Sequence, residues 1–436
     1  MTERTADPAP ATQAPPPAAP PEAPHRTAPA DPSRPAAPAE TSRRSAPADH
    51  PHASAPADHP QASAPADHPH ASAPADHAHA SAPPDHPHAS APPDHPRPDA
   101  TADHPRPTGA AVLPTSVLQP LGRLRVDWPR SFADRLTAPL PGVRALARLA
   151  REGAVRPRPE GLRDAPLLPF EPGPLPPAGP STVAVTWAGH ASWVLRVGGL
   201  TVLTDPVWSR RILGTPARLT PVGVRWEDLP PVDAVVISHN HFDHLDAPTL
   251  RRLPRATPVL VPAGLGRWFV RRGFTRVTEL DWWEAAELDG VRFDFVPAHH
   301  WSKRTLLDTC RSLWGGWVLT DPAGHRVHFA GDTGYGHWFA EIGRRHPGID
   351  LALLPIGAYA PRWWLRDVHT DPEEAVRALQ DLGARRMAPM HWATFVLSSE
   401  PVLEPLTRVR AAWAHAGLPA EDLWTLPVGG SRVLVP

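Results

Sequence analysis

Four side chains of metal-ligand type, His239, His241, Asp243 and His244, fall within six residues of the stretch Ser238-His-Asn-His-Phe-Asp-His-Leu-Asp246. Imidazole nitrogen and carboxylate oxygen together suit Zn²⁺, Fe or Mn. Cys310 is the only cysteine of the chain, which excludes a closed, thiolate-rich structural zinc site. A His/Asp site that leaves a coordination position open for water is the kind that catalysis uses. The His-x-His alternation lets His239 and His241 converge on one ion where the chain curls, while Asp243 and His244 turn towards a second. The alternative is a polar surface loop with chance histidines. The density of ligand residues directly after the apolar run Asp233–Ser238 argues against it.

Two ions need more donors than one loop supplies, so further ligands are expected at the ends of other strands. Candidates stand at such places. His299 and His300 follow a β-rich run ending at Pro297, Asp332 closes Phe329-Ala-Gly-Asp332, and His391 follows Met387-Ala-Pro-Met390. His190, in Gly-His-Ala-Ser, and Asp205, in Leu-Thr-Asp-Pro, are placed to orient ligand imidazoles from behind, with ordinary strand-end hydrogen bonding as the alternative.

The elements that must carry these residues are legible as short β-rich runs: Thr182–Trp187, Trp193–Val197, Leu200–Asp205, Val232–Ser238, Val291–Pro297, Arg326–Asp332 and Asp350–Ile356. Helices are expected over Ala247–Leu253, Gly264–Arg272, His337–Arg345 and Asp371–Leu382. The last has the strongest local signals. Asp371 can cap it, Pro372 suits its first position and Glu374 completes a capping box. Gly383 then stands where a left-handed C-terminal cap belongs. Strands followed by mixed strands and helices predict a layered α/β domain over residues 181–436.

The rest of the chain has a different texture. Of the chain's 63 prolines, 26 crowd the first hundred positions, and from Ser45 a nine-residue unit of the type SAPADHPHA recurs. Alanine and proline cannot stack into a core, so residues 1–108 are expected to be a disordered Pro/Ala/His-rich tail. Such a tail is a spacer, or a metal-scavenging tract if its histidines bind zinc. Residues 109–180 form a junction in which Val143–Glu152 can make a basic amphipathic helix. Packing of its leucines onto the domain is the expected use, and contact with a membrane surface is the rival. The net charge of −1 gives no electrostatic case for nucleic-acid binding. Met1 to Pro20 offers no apolar h-region, and no uncharged apolar run reaches membrane-spanning length. The expected location is cytoplasmic, with peripheral contact to the membrane as a further option.

HNHFDHLD resembles the HxHxDH signature of the metallo-β-lactamase superfamily. LTDPVWSRR, ELDWWE, HWSKRTLLD, LWGGWVL, FAGDTGYG, PIGAYAPRWW, HTDPEEAV and MHWATF resemble the N-acyl-phosphatidylethanolamine-hydrolysing phospholipase D family, over roughly Val183 to Val435. The resemblance implies an αββα sandwich with two zinc ions at one edge. By motif, His239, His241 and His300 would hold one ion and Asp243, His244 and His391 the other, with Asp332 between them. His300 is preferred to His299 because it directly precedes Trp301-Ser-Lys-Arg304. His369 resembles a position near the substrate phosphate, with a helix-cap contact as the plainer reading.

The implied reaction is hydrolysis of N-acyl phosphatidylethanolamine to an N-acylethanolamine and phosphatidic acid. Two ions sharing one water would lower its pKa towards 7, and Asp243 is the natural residue to hold or deprotonate it, if it does not serve as a ligand alone. Trp363, Trp364 and Leu365 beside Arg362 and Arg366 suit a bilayer interface, or else a buried aromatic cluster. The family resemblance also implies a homodimer. Two other functions remain open from the residues alone. One is a lactonase or phosphodiesterase of the same fold with a soluble substrate, and the other is a metal-binding protein without catalysis.

Overall fold

Residues that alternate along a strand in this chain serve two different cores. Trp193, Leu195 and Val197 face one apolar cluster while Val194 faces another, and Ala234 and Val236 oppose Val235 and Ile237 in the same way. Successive side chains of a strand point to opposite faces. A strand buried on both faces must therefore be apolar at nearly every position, which accounts for the near-continuous apolar runs of the sequence.

The computed structural model describes residues 117–434 except 155 and 178. The repeat-bearing tail expected over residues 1–108 lies outside the described residues. Fourteen strands appear among those described: β1 (Val117–Leu118), β2 (Val183–Gly189), β3 (Ser192–Val197), β4 (Leu200–Thr204), β5 (Ala234–Val236), β6 (Val259–Pro262), β7 (Val277–Leu280), β8 (Glu284–Leu288), β9 (Val291–Val296), β10 (Gly316–Thr320), β11 (Arg326–Phe329), β12 (Leu351–Pro355), β13 (Arg386–Met390) and β14 (Ser431–Leu434). They form two seven-stranded sheets, ordered β14-β2-β3-β4-β5-β6-β7 and β1-β8-β9-β10-β11-β12-β13. Each sheet is mixed. β14 to β4 pair antiparallel and β4 to β7 parallel, and β8 to β11 pair antiparallel and β11 to β13 parallel.

The larger core takes side chains from both sheets, among them Trp187 and Trp193 from one and Phe293, Phe295 and Trp317 from the other. The sheets are therefore packed face to face. The helices are α1 (Val143–Glu152), α2 (Pro159–Leu162), α3 (Ala247–Leu250), α4 (Gly266–Val270), α5 (Trp338–Arg345), α6 (Arg362–Leu365), α7 (Pro372–Leu382) and α8 (Glu404–His415). Leu250 and Phe269, from α3 and α4, cover the outer face of the first sheet, and α5, α7 and α8 pack together over the second. This is the αββα sandwich.

Local chemistry explains most of the boundaries. α7 has the full capping box, with Asp371 Oδ1 accepting from the Glu374 amide at 2.8 Å and Glu374 Oε2 accepting from the Asp371 amide at 3.2 Å. Gly383 closes it at φ 60°. Glu284–Leu288, whose Glu-Ala-Ala-Glu-Leu reads as helix, is a strand because it pairs antiparallel with Val291–Phe295, so tertiary pairing overrides propensity. Pro389 sits in β13, the edge strand of its sheet, where a missing amide is tolerated.

The amphipathic helix expected at Val143–Glu152 forms over those residues, but its apolar side is not packed. Val143 is 80% and Leu146 52% exposed. The helix is fixed instead by its polar side. The Arg148 guanidinium lies 3.9 Å from the Trp363 ring centroid, and Trp363 Nε1 donates to Glu152 at 3.1 Å. Upstream, Phe132 is buried in the main core and its amide bonds the carbonyl of Cys310. The junction is thus part of the folded body.

Candidate metal centre

Apart from His369, which follows α6, the expected site residues leave the sheets at one edge. The loop 238–246 follows β5, His299 and His300 follow β9, Asp332 follows β11 and His391 follows β13. His190 lies in the turn between β2 and β3, and Asp205 directly follows β4. Three of these residues, His190 (φ 57°), Asp205 (φ 34°) and His391 (φ 63°), hold left-handed backbone that side-chain-bearing residues rarely adopt. Such strain persists where the surroundings over-determine the conformation.

Two groups of donors form there. In the first, His241 Nδ1 lies 2.8 Å from His239 Nε2 and 3.2 Å from His300 Nε2. Asp332 Oδ2 is 3.9 Å from His239 Nε2 and 3.8 Å from His300 Nε2. In the second, His244 Nε2 is 3.3 Å from Asp243 Oδ2, 3.3 Å from His391 Nε2 and 3.1 Å from Asp332 Oδ2. His391 Nε2 is 3.0 Å from Asp332 Oδ1. Asp332 therefore borders both groups. His190 joins the second through Asp243, at 3.0 Å.

Hydrogen bonds from behind decide which ring nitrogen faces the centre. His300 Nδ1 lies 3.0 Å from the Val368 carbonyl, which can only accept. That nitrogen carries the hydrogen, and Nε2 presents its lone pair. His244 Nδ1 donates to Asp205 Oδ2 at 2.7 Å, again leaving Nε2 inward. Ser238 donates its hydroxyl to Asp205 at 2.5 Å and its amide at 2.7 Å. Its oxygen then accepts from His239 Nδ1 at 2.9 Å, which turns His239 Nε2 inward as well. Asp205 thus aligns two imidazoles, one directly and one through Ser238. The sequence predicts that Asp205 orients imidazoles; Ser238, which carries its effect to His239, is signalled there only by a small hydroxyl residue immediately before the first histidine.

Burial and charge agree with cation binding. Burial and neighbouring imidazoles push His241 down to about 3 and His300 to about 4, and hold His239 well below the ordinary histidine range. These rings are neutral, the form that ligates. Burial opposes charge on Asp243 and Asp332, yet His244 and His391 outweigh it and keep both carboxylates ionised; the same carboxylates push His391 up to about 9 and His244 well above the ordinary histidine range, so these two rings carry protons that a bound cation would displace. Buried carboxylates converging with inward imidazole lone pairs form a donor set that fits divalent transition ions and leaves negative charge for them to neutralise.

Residues 201–392 match the family model described as a beta-lactamase superfamily domain. A Caenorhabditis elegans N-acyl-phosphatidylethanolamine-hydrolyzing phospholipase D is 36% identical over 248 residues, covering 53% of this chain and 69% of that protein. The chain belongs to the metallo-β-lactamase superfamily. It is a metal-dependent hydrolase of the metallo-β-lactamase fold. A yeast mitochondrial N-acyl-phosphatidylethanolamine-hydrolyzing phospholipase D is 38% identical over 242 residues, covering 52% of each chain. An uncharacterised Mycobacterium tuberculosis protein is 43% identical over 281 residues, covering 60% of this chain and 73% of that one.

Within this metallo-β-lactamase site, His300 rather than its neighbour enters the cluster. His299 Nδ1 turns to Thr137 at 2.8 Å. His369 stands at the border, its Nδ1 buried, without a hydrogen-bond partner and 4.0 Å from Asp332 Oδ2. Arg304, not anticipated, donates to the Asn240 carbonyl at 3.1 Å and covers Phe242 at 4.1 Å, bracing the metal loop. A cavity of about 150 Å³ is lined by His241, His300 and His369 together with Trp301, Trp364 and Leu140. One wall, Leu136–Pro141, belongs to the junction. No described helix is long and apolar enough to cross a membrane.

Proposed function

We propose that this chain is a dinuclear phosphodiesterase of the phospholipase D type, which cleaves N-acyl phosphatidylethanolamine to an N-acylethanolamine and phosphatidic acid. The observation that carries this reading is the sharing of Asp332 between two donor groups at the inner end of an apolar-walled cavity. The similarity to the worm and yeast phospholipases supports the choice of substrate.

His239, His241 and His300 would hold one ion, Asp243, His244 and His391 the other, and Asp332 both. Zinc suits this set, and iron or manganese would fit the same donors. Bound ions supply Lewis acidity towards a phosphoryl oxygen and lower the pKa of a water molecule. The chain's own groups do the rest. Asp243 is kept ionised, so it can take the proton of the attacking water. His190, 3.0 Å from Asp243, fixes that carboxylate's direction. Water oxygen bonds to phosphorus, the bond from phosphorus to the ethanolamine oxygen breaks, and that oxygen takes up a proton. His369, with a free ring nitrogen beside Asp332, is placed to hydrogen-bond a phosphoryl oxygen. The cavity walls Leu140, Trp364 and Leu365 would shelter acyl chains, consistent with a substrate drawn from a membrane to which the protein attaches peripherally.

The test is incubation of the pure, metal-loaded chain with N-acyl phosphatidylethanolamine, with products identified by mass spectrometry. Equimolar N-acylethanolamine and phosphatidic acid are expected, with turnover lost in Asp243→Asn. An intact phospholipid, together with hydrolysis of a soluble lactone or phosphodiester, would replace this reading with another chemistry of the same fold.

A further inference from the structure

Leu306 and Leu307 are 90% and 80% exposed, yet they do not sit on a slack loop. Asp308 Oδ1 accepts the backbone amides of Arg304 at 2.9 Å and Thr305 at 2.6 Å, and Thr305 Oγ1 accepts that of Leu307 at 3.4 Å. The turn is locked by its own side chains, and the two leucines are presented to solvent. Adjacent leucines held outward gain nothing from folding and are available for burial against another body.

The turn is anchored to the catalytic edge. Arg304 binds the Asn240 carbonyl and lies over Phe242. Phe242 also packs with Ile212 and Phe395, and Ile212 belongs to a second projecting loop, in which Leu213 is 73% exposed. Both loops therefore meet at Phe242, a residue of the metal loop. Each carries cations near its leucine: Arg210 and Arg211 on one, Lys303 on the other. Among the described residues none of these three has an acidic partner.

We infer that the turn Lys303–Asp308, with the Arg210–Leu213 loop, is a bilayer-docking surface that inserts Leu306, Leu307 and Leu213 among lipids and sets unpaired cations against anionic headgroups. Apolar tips flanked along the chain by arginine and lysine match the layering of a membrane interface. The docking would set the metal edge against the bilayer. This deepens the phospholipid reading, on which its choice of partner rests.

The test is flotation of the full chain with phosphatidylcholine vesicles, with and without phosphatidylglycerol, read by bound fraction and without reference to turnover. Wild type should float, more strongly with phosphatidylglycerol and less at high salt. L306S/L307S should bind roughly tenfold more weakly or worse, while circular dichroism and metal content stay at wild-type levels. R210Q/R211Q should lose the phosphatidylglycerol dependence. A wild type that fails to float, or an L306S/L307S variant that floats equally well, overturns the inference. So does a dimer that L306S/L307S dissolves without vesicles, since a second copy would then cover these leucines. Flotation without cleavage of N-acyl phosphatidylethanolamine would leave the docking surface standing and remove the phospholipase reading alone.

Discussion

His244 Nδ1 lies 2.7 Å from Asp205 Oδ2, with both side chains wholly buried. The same carboxylate takes the hydroxyl and the amide of Ser238, and Ser238 takes Nδ1 of His239. One aspartate therefore sets the direction of a histidine in each donor group. Asp205→Asn keeps the shape but loses the charge, and its amide nitrogen would oppose a donor. Metal affinity should fall by about 10- to 100-fold, measured by competition with a chromogenic chelator. Wild-type affinity in the variant would show that the ligands orient without Asp205.

Gly331 has φ 62°, and a Cβ there would stand 2.5 Å from the Cβ of Ser238. It precedes Asp332, and Ser238 precedes His239, so the two donor-bearing loops touch at this point. Gly331→Ala should cost on the order of 1–3 kcal/mol in chemical unfolding and also weaken metal binding. A stable variant with unchanged metal affinity would mean that the loops relax apart without consequence.

Metal removal should be visible in the fold. Ions that bind only the native chain stabilise it by about 2.7 kcal/mol at a hundredfold excess over the dissociation constant. For a domain of this size that corresponds to roughly 5 °C in melting temperature. Chelation should lower the melting temperature by about that amount, and added zinc should restore it. An unchanged melt would indicate that the donor cluster is stable without cations.

His328, in β11, is pushed down to about 3 by burial and by the nearby His346, which burial also lowers. Its folded value lies below the unfolded one, near 6.5. The unfolded chain therefore takes up a proton below that value that the folded chain refuses. Stability is unaffected above pH ~6.5 and declines as pH falls from there towards ~3, by at most about 1.4 kcal/mol per unit for this residue. His328→Gln should flatten the fall of the denaturation midpoint between about pH 6 and pH 4. An equally steep fall in the variant would place the acid sensitivity elsewhere.

Much of this was legible in the sequence because it is local. The run from Val232 to Ser238 ends where four ligand residues begin, and α7 declares both ends through Asp371, Glu374 and Gly383. The second-sheet candidates are legible because His300, Asp332 and His391 each follow an apolar run. What escaped depends on contacts distant in sequence. Glu284–Leu288 became a strand only through its partner β9. α8 is not among the helices expected, although Leu406, Val409 and Trp413 recur at helical spacing. The exposed leucines of α1 could not be foreseen, because Arg148 and Glu152 dock that helix through Trp363, more than two hundred residues away. Arg304 shows its role only once its turn lies beside Asn240.

On the proposed mechanism, His239, His241, His300, Asp243, His244, His391 and Asp332 surround a pair of cations. Native mass spectrometry of the full chain, stripped with chelator and reloaded with zinc, tests this most directly. Two ions per chain are expected, with one or both lost in Asp332→Ala. A chain that takes up a single ion, or none, would contradict it.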